Sequence, residues 1–225
     1  MTNYGQELAK AGLTIKAIKL NPEKPFLWAS GYHMPIYNDN RMFLFFPEYR
    51  RLIIEGFKEI IKRENIKFDI IAGTSTAGIP HGALLADKFN VPFIYIRDKP
   101  KAHGLKNQIE GVDAESDLKQ KSVIVIEDLI STGGSSARAV QAVRDANGVV
   151  DYCISIFNYG LDKAASAFNK LNIPSNTISI LTYDVLLNTA KEIGYMSDIQ
   201  INLLKEWKDN PFGWGEKNGF HKVNR

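Results

Sequence analysis

The chain has 225 residues, 44% hydrophobic and 24% charged, enough for one domain with a full core, and nothing in the composition suggests disorder. Lys plus Arg number 28 against 25 acids, and a net charge of +3 is too weak to argue for nucleic acid, although local basic clusters could serve an anionic ligand. The single cysteine, Cys153, excludes an internal disulfide and reads as an inert core residue. No apolar run approaches the ~18 residues of a membrane span, and the opening Met-Thr-Asn-Tyr-Gly-Gln-Glu is not a signal peptide. The expectation is a soluble, cytoplasmic protein.

In chain order, residues 3–12 read as a short helix ended by Gly12, and 14–20 alternate like a half-buried strand. Pro22 and Pro25 break the chain before Phe26-Leu-Trp-Ala-Ser-Gly31, and a second extended piece, Pro35-Ile-Tyr-Asn-Asp-Asn-Arg41, follows. These antiparallel-looking pieces precede any βα alternation, so residues 1–45 read as a small hood over a sheet. Pro47 is placed at the first position of a helix whose Ile53, Phe57, Ile60 and Ile61 form one apolar stripe.

Alternation follows: a strand at 69–72, a helix at 79–89, a strand at 93–96, and a long polar run over 98–120. Then come a strand at 123–126, a helix after Gly134, a strand at 152–157, a helix at 161–171, a strand at 177–181, and helical segments over 183–193 and 198–208. Units of this length predict an α/β fold, a doubly wound and mainly parallel sheet flanked by helices, with residues 46–210 as its core. The tail 211–225, with Pro211-Phe-Gly-Trp-Gly-Glu-Lys-Asn-Gly-Phe220, is too rich in Gly for a helix and is expected to pack its aromatics on the domain or a partner.

The chemistry gathers at strand ends. Val123 to Ile126 form a β-branched run suited to burial on both faces. Glu127 and Asp128 follow, then Leu129, Ile130, Ser131, Thr132, Gly133, Gly134 and Ser135 lead into a helix. A Gly/Ser/Thr loop at a helix entry supplies backbone N–H groups, hydroxyls and a positive dipole end, which suits a phosphate monoester. The two acids would be repelled by phosphate; they suit sugar hydroxyls or a divalent cation, and phosphate beside a diol describes ribose 5-phosphate. Thr74, Ser75, Thr76, Ala77 and Gly78 form a second loop of the same kind. The run from Arg97 through Lys99, Lys101, His103 and Lys106 reads as a cationic flap over an anion. His81, at the start of a helix, reads as structural.

Three segments carry a resemblance: Phe26-Leu-Trp-Ala-Ser-Gly31 with Pro35-Ile-Tyr-Asn-Asp-Asn-Arg41, Lys101-Ala-His103-Gly104 with Asn107-Gln-Ile-Glu-Gly111, and Glu127-Asp-Leu-Ile-Ser-Thr-Gly-Gly-Ser135. Over roughly residues 14–185 the chain resembles the orotate phosphoribosyltransferases of the type I phosphoribosyltransferase family. The resemblance implies transfer of ribose 5-phosphate from 5-phosphoribosyl-1-diphosphate (PRPP) to N1 of orotate, giving orotidine 5′-monophosphate (OMP) and diphosphate. It implies Mg²⁺ held through PRPP with help from Asp128, and a homodimer that shares its sites. Residues 127–135 would hold the ribose 5-phosphate, with Arg97, Lys101 and His103 meeting the diphosphate from the partner's loop. Ser131 and Tyr37 would meet orotate, and Lys101, His103 and Asp128 are the catalytic candidates.

The chain departs from the pattern at His33-Met34, where Lys-Ser is common, and at Ala102, where Asp is common. Asn158-Tyr-Gly-Leu offers no arginine for the orotate carboxylate, which leaves Arg41 or backbone N–H groups. Two alternatives stay open: a phosphoribosyltransferase for another nucleobase, and a PRPP-sensing regulator, for which no helix-turn-helix pattern is found.

Overall fold

The computed structural model describes residues 3–98, 108–112 and 118–224. It opens with α1 (Tyr4–Thr14), where the Asn3 side chain accepts the Gln6 N–H at 3.2 Å. The helix runs past Gly12, contrary to the sequence reading. That glycine serves packing: a Cβ there would sit 2.8 Å from Ile18 and 3.2 Å from the Phe43 ring. The turn falls instead at Ile15 and Lys16, whose φ is 61°. The strand expected over 14–20 therefore shrinks to β1 (Ile18–Leu20).

Three further short strands follow: β2 (Phe26–Leu27), β3 (His33–Met34) and β4 (Ile36–Asn38). β2 pairs with β3 and β1 with β4, both antiparallel. A 3-10 turn, Asn40–Phe45, leads into α2 (Pro47–Arg63), with Pro47 in its first turn.

The alternating part comprises β5 (Ile70–Thr74), α3 (Gly78–Phe89), β6 (Phe93–Ile96), β7 (Ile109–Glu110) and β8 (Ser122–Ile130). It continues with α4 (Gly134–Asp145), β9 (Val149–Asn158), α5 (Asp162–Asn169), β10 (Asn176–Thr182), α6 (Tyr183–Glu192) and α7 (Asp198–Asp209). Among the described residues these strands form one six-stranded sheet in the order β10-β9-β8-β5-β6-β7. All neighbours are parallel except β7, which runs antiparallel to β6. The polar run 98–120 thus contributes a strand that its composition does not announce.

The aliphatic run in β8 is buried on both faces, as predicted. Val123 and Val125 join one core with Val140 and Val143 of α4, while Ile124 and Ile126 join another with Leu8 and Phe57. Strand order reverses between β5 and β8, since β6 lies beyond β5 on one side and β9 beyond β8 on the other. Chain departing from the two carboxyl ends in opposite directions leaves a crevice there.

The tail corrects a second expectation. It contains a short helix, α8 (Trp214–Lys217), despite its glycines. Gly215 fits beneath neighbouring main chain, where a Cβ would lie 2.9 Å from Phe220 O and 3.3 Å from His33 O, and Trp214 is buried. Among the described residues no helix is long and apolar enough to cross a membrane.

Candidate active site

At the end of β5, Thr74 is buried and its Oγ1 donates to Glu127 Oε1 at 2.7 Å. Ser75 Oγ accepts the Asp98 N–H at 3.1 Å, and the Ser75–Thr76 peptide bond is cis. The loop passes Ala77 into α3 without a side-chain cap, leaving the first-turn N–H groups to other acceptors.

The second loop leaves β8. This strand continues past the aliphatic run, so Glu127 and Asp128 lie inside it rather than after it. Successive strand residues point to opposite faces, so Glu127 turns inward while its neighbour Asp128 is only partly buried. Glu127 is buried and accepts from Thr74 Oγ1, from Ser136 Oγ at 2.9 Å and from the Asp128 N–H at 3.0 Å. Burial, and then the neighbouring Asp128 charge, push its carboxyl up to about 8. The Asp128 side chain is partly buried beside Glu127, and its main-chain carbonyl accepts Asn40 Nδ2 at 2.6 Å. Gly133 turns the chain into α4 at φ 74°, where a Cβ would lie 2.8 Å from Ala164 Cα, so only glycine fits.

Two hollows meet at these loops. One, of about 250 Å³, is lined by Thr74, Ser75, Arg97, Asp128, Leu129 and Ser135 among others. The second, of about 370 Å³, is lined by Trp28, Ser30, Tyr37, Asn38, Ser131 and Tyr159, and shares Leu129 as a wall. A larger hollow of about 710 Å³ beside Lys58, Lys62, Phe68 and Phe89 holds none of the predicted site residues.

The predicted residues divide accordingly. Tyr37 is half-exposed on the second hollow, 5.9 Å from the Phe26 ring, with Lys19 Nζ 5.7 Å from its own ring centre. Arg97 meets Glu110 at 3.5 Å on the rim of the first. Ile130 is fully buried, so it can offer a ligand only main-chain atoms. Arg41 lines neither hollow; its guanidinium grips Asp39 at 2.7 and 2.9 Å. Lys101 and His103, with Lys99 and Lys106, lie outside the described residues. His81 is buried, and neither ring nitrogen has a partner among the described residues. Burial lowers its pKa to about 4.

Sequence reasoning missed Arg138 and Gln108 in the first hollow and Trp28 and Tyr159 in the second. Arg138 had a signal, since it follows Ser135 by three residues and so shares its helix face. Tyr159 had one too, because it directly follows the carboxyl end of β9.

Two anion-type loops at the switch point of a doubly wound sheet define a phosphoribosyltransferase, and residues 46–187 match the phosphoribosyl transferase domain family. A relative named orotate phosphoribosyltransferase from Staphylococcus haemolyticus is 46% identical over 205 residues, covering 91% of this chain and 98% of its own. The one from Bacillus pumilus is 48% identical over 205 residues, covering 91% and 94%. The crystal structure of orotate phosphoribosyltransferase from Aeropyrum pernix shares the fold, with a TM-score of 0.70 at 22% identity over 84% of this chain and 99% of that one. The chain belongs to the orotate phosphoribosyltransferase family: it is a transferase of pyrimidine biosynthesis that uses PRPP to convert orotate to OMP.

Proposed function

We propose that the two hollows divide the substrates at Leu129, with PRPP on the side of Thr74 and Ser135 and orotate on the side of Tyr37 and Ser131. The observation that carries this reading is Asp128, a partly buried carboxylate on the wall of the first hollow, in the strand where both spaces meet. The 5-phosphate is assigned to the loop 131–135 and the start of α4, and the diphosphate to the loop 74–78. Asp128 accepts from the ribose hydroxyls.

In the reaction the C1′–O bond breaks with its electron pair leaving on diphosphate, while N1 of orotate bonds to C1′ and gives up its proton. Orotate N1–H is acidic enough that no strong protein base is required. Arg97, Lys101 and His103 stabilise charge on the leaving group, each worth about 10²–10³ in rate. The chemistry of Asp128, a hard oxygen donor beside the phosphate side, fits Mg²⁺ carried in by PRPP. Held there, Mg²⁺ would supply positive charge to offset that of the leaving diphosphate.

A homodimer completes the reading. Phe45, 82% exposed just ahead of α2, and half-exposed Leu84 in the groove beside Pro47 and Arg50 support a second copy as cover. A cytoplasmic setting accords with a pathway of soluble nucleotide precursors.

Turnover of orotate against uracil, adenine and hypoxanthine tests the substrate, read as loss of orotate absorbance and formation of OMP. Turnover of orotate alone is the expected result. Preference for a base without a carboxylate would overturn the assignment.

A further inference from the structure

The hairpin of β2 and β3 is a wall of the nucleobase hollow that stands outside the main sheet. Its turn is closed by Trp28 N–H on Tyr32 O and Gly31 N–H on Trp28 O, both at 2.9 Å. Trp28, Ala29 and Ser30 line the hollow together with Leu129, Ser131 and Tyr159. Two strands of two residues each cannot stay ordered alone.

The carboxy-terminal chain supplies what they lack. Trp207 Nε1 donates to Met34 Sδ at 3.0 Å, and its ring lies edge-on to Trp28 at 6.4 Å and to Tyr159 at 5.4 Å. Phe212 meets Tyr32 edge-on at 5.3 Å, and Lys222 Nζ lies 4.5 Å from the Tyr32 ring centre. Phe220 stacks on buried Trp214 at 6.1 Å and lies 5.9 Å from the His33 ring. The Val223 N–H donates to Gly31 O at 2.9 Å. Gly31, Tyr32, His33 and Met34 therefore each have a partner between residues 207 and 223.

We infer that residues 207–223 are a strap that positions the β2–β3 hairpin for the nucleobase, so that this chain reads its own carboxy-terminal segment as affinity for orotate. The inference rests on orotate occupying the hollow beside Tyr37. Phe220 is a positioning residue: it lines neither hollow and acts through His33 and Trp214. Loosening the strap loosens one wall of the base side and leaves both phosphate loops on the sheet. Coupling is also reciprocal, so a ligand that needs the hairpin in place must in turn steady the strap.

Steady-state kinetics of Phe220→Ala and of a chain ended after Asn218 test the inference. The expected result is a KM for orotate raised about tenfold, with kcat and the KM for PRPP within about twofold of wild type. Phe220→Tyr, which keeps the ring, should restore the orotate KM. Amide exchange on the intact chain provides a second reading that does not depend on the shortened form folding. The Val223 N–H should exchange more slowly with OMP bound than with ribose 5-phosphate bound. An unchanged orotate KM in Phe220→Ala, an equal rise in both KM values, or Val223 exchange indifferent to OMP would each overturn the strap. Tyr37→Ala serves as the reference: it should raise the orotate KM whether or not the strap matters. No effect there would instead remove orotate from this hollow.

Discussion

Thr74 and Glu127 share a hydrogen bond of 2.7 Å, Oγ1 to Oε1, that ties the end of β5 to β8 across the point where strand order reverses. Ser136 on α4 joins the same carboxyl at 2.9 Å, so one buried group fastens both loops together. Burial, with Asp128 alongside, pushes that carboxyl up to about 8.

Glu127→Gln reproduces the size and polarity of the protonated acid. It should keep kcat/KM within about threefold of wild type and leave thermal stability close to unchanged. Glu127→Ala takes the acceptor from the buried Ser136 hydroxyl and leaves Thr74 Oγ1 only the Ile126 carbonyl at 3.2 Å, and should destabilise by about 1–3 kcal/mol. Turnover and melting of both variants check this; a hundredfold loss in Glu127→Gln would make the residue a charged ligand instead of a brace.

Asp128 behaves oppositely. It lines the first hollow and is only partly buried, so Asp128→Asn should fold normally and melt near wild type. Its kcat/KM should fall by on the order of 10²-fold, because in the proposed reading this carboxylate meets the ribose hydroxyls. Near wild-type turnover in a folded variant would sink the assignment.

Shared sites are read by mixing variants. Asp128→Asn and Lys101→Ala homodimers should each be nearly inactive. Equal amounts under exchange give about half heterodimers, each with one doubly defective and one intact site. Recovery of roughly a quarter of wild-type activity is expected for independent sites. A mixture shown to exchange subunits but remaining inactive would refute a site built from two chains.

His81 sets a pH dependence of stability. Burial lowers its pKa from 6.5 to about 4, so between those values the unfolded chain binds more protons than the folded one. Its contribution to stability is present above pH 6.5 and is lost as pH falls toward 4, by up to about 1.4 kcal/mol per unit. His81→Leu removes that slope and also removes a buried ring with no hydrogen-bond partner among the described residues. The variant should melt at or above the wild-type temperature at pH 7 and lose less on acidification. Parallel melting curves from pH 7 to pH 4 would count against it.

The strand–loop–helix around Val123 was legible because burial on both faces and phosphate-loop composition are local signals. The length of β8 was not. Two adjacent acids look like the end of a strand until Thr74, 53 residues away, and Ser136 supply partners for the first of them. Gly12 and Gly215 read as helix breakers because the contacts that require a missing Cβ come from Ile18, Phe43, Phe220 and His33, which lie outside the two helices. Arg41 looked available for a carboxylate because its grip on Asp39 depends on the turn between them. Tyr37 and Ser131 are members of short motifs, and their meeting in one hollow is a product of the tertiary fold.

The course of β8 has a consequence for chain length. Its residues alternate between two cores as far as Ile126, and the same alternation turns Glu127 toward Thr74 and Ser136 and leaves Asp128 only partly buried. Inserting or deleting one residue between Ser122 and Glu127 would exchange the two acids, aiming the buried one outward and the partly exposed one into the core. A change of two residues would restore the faces but break the pairing with β5 on one side and β9 on the other. This stretch can tolerate exchange of one aliphatic side chain for another, yet its residue count is fixed. Length variation between relatives should collect in the connections around it.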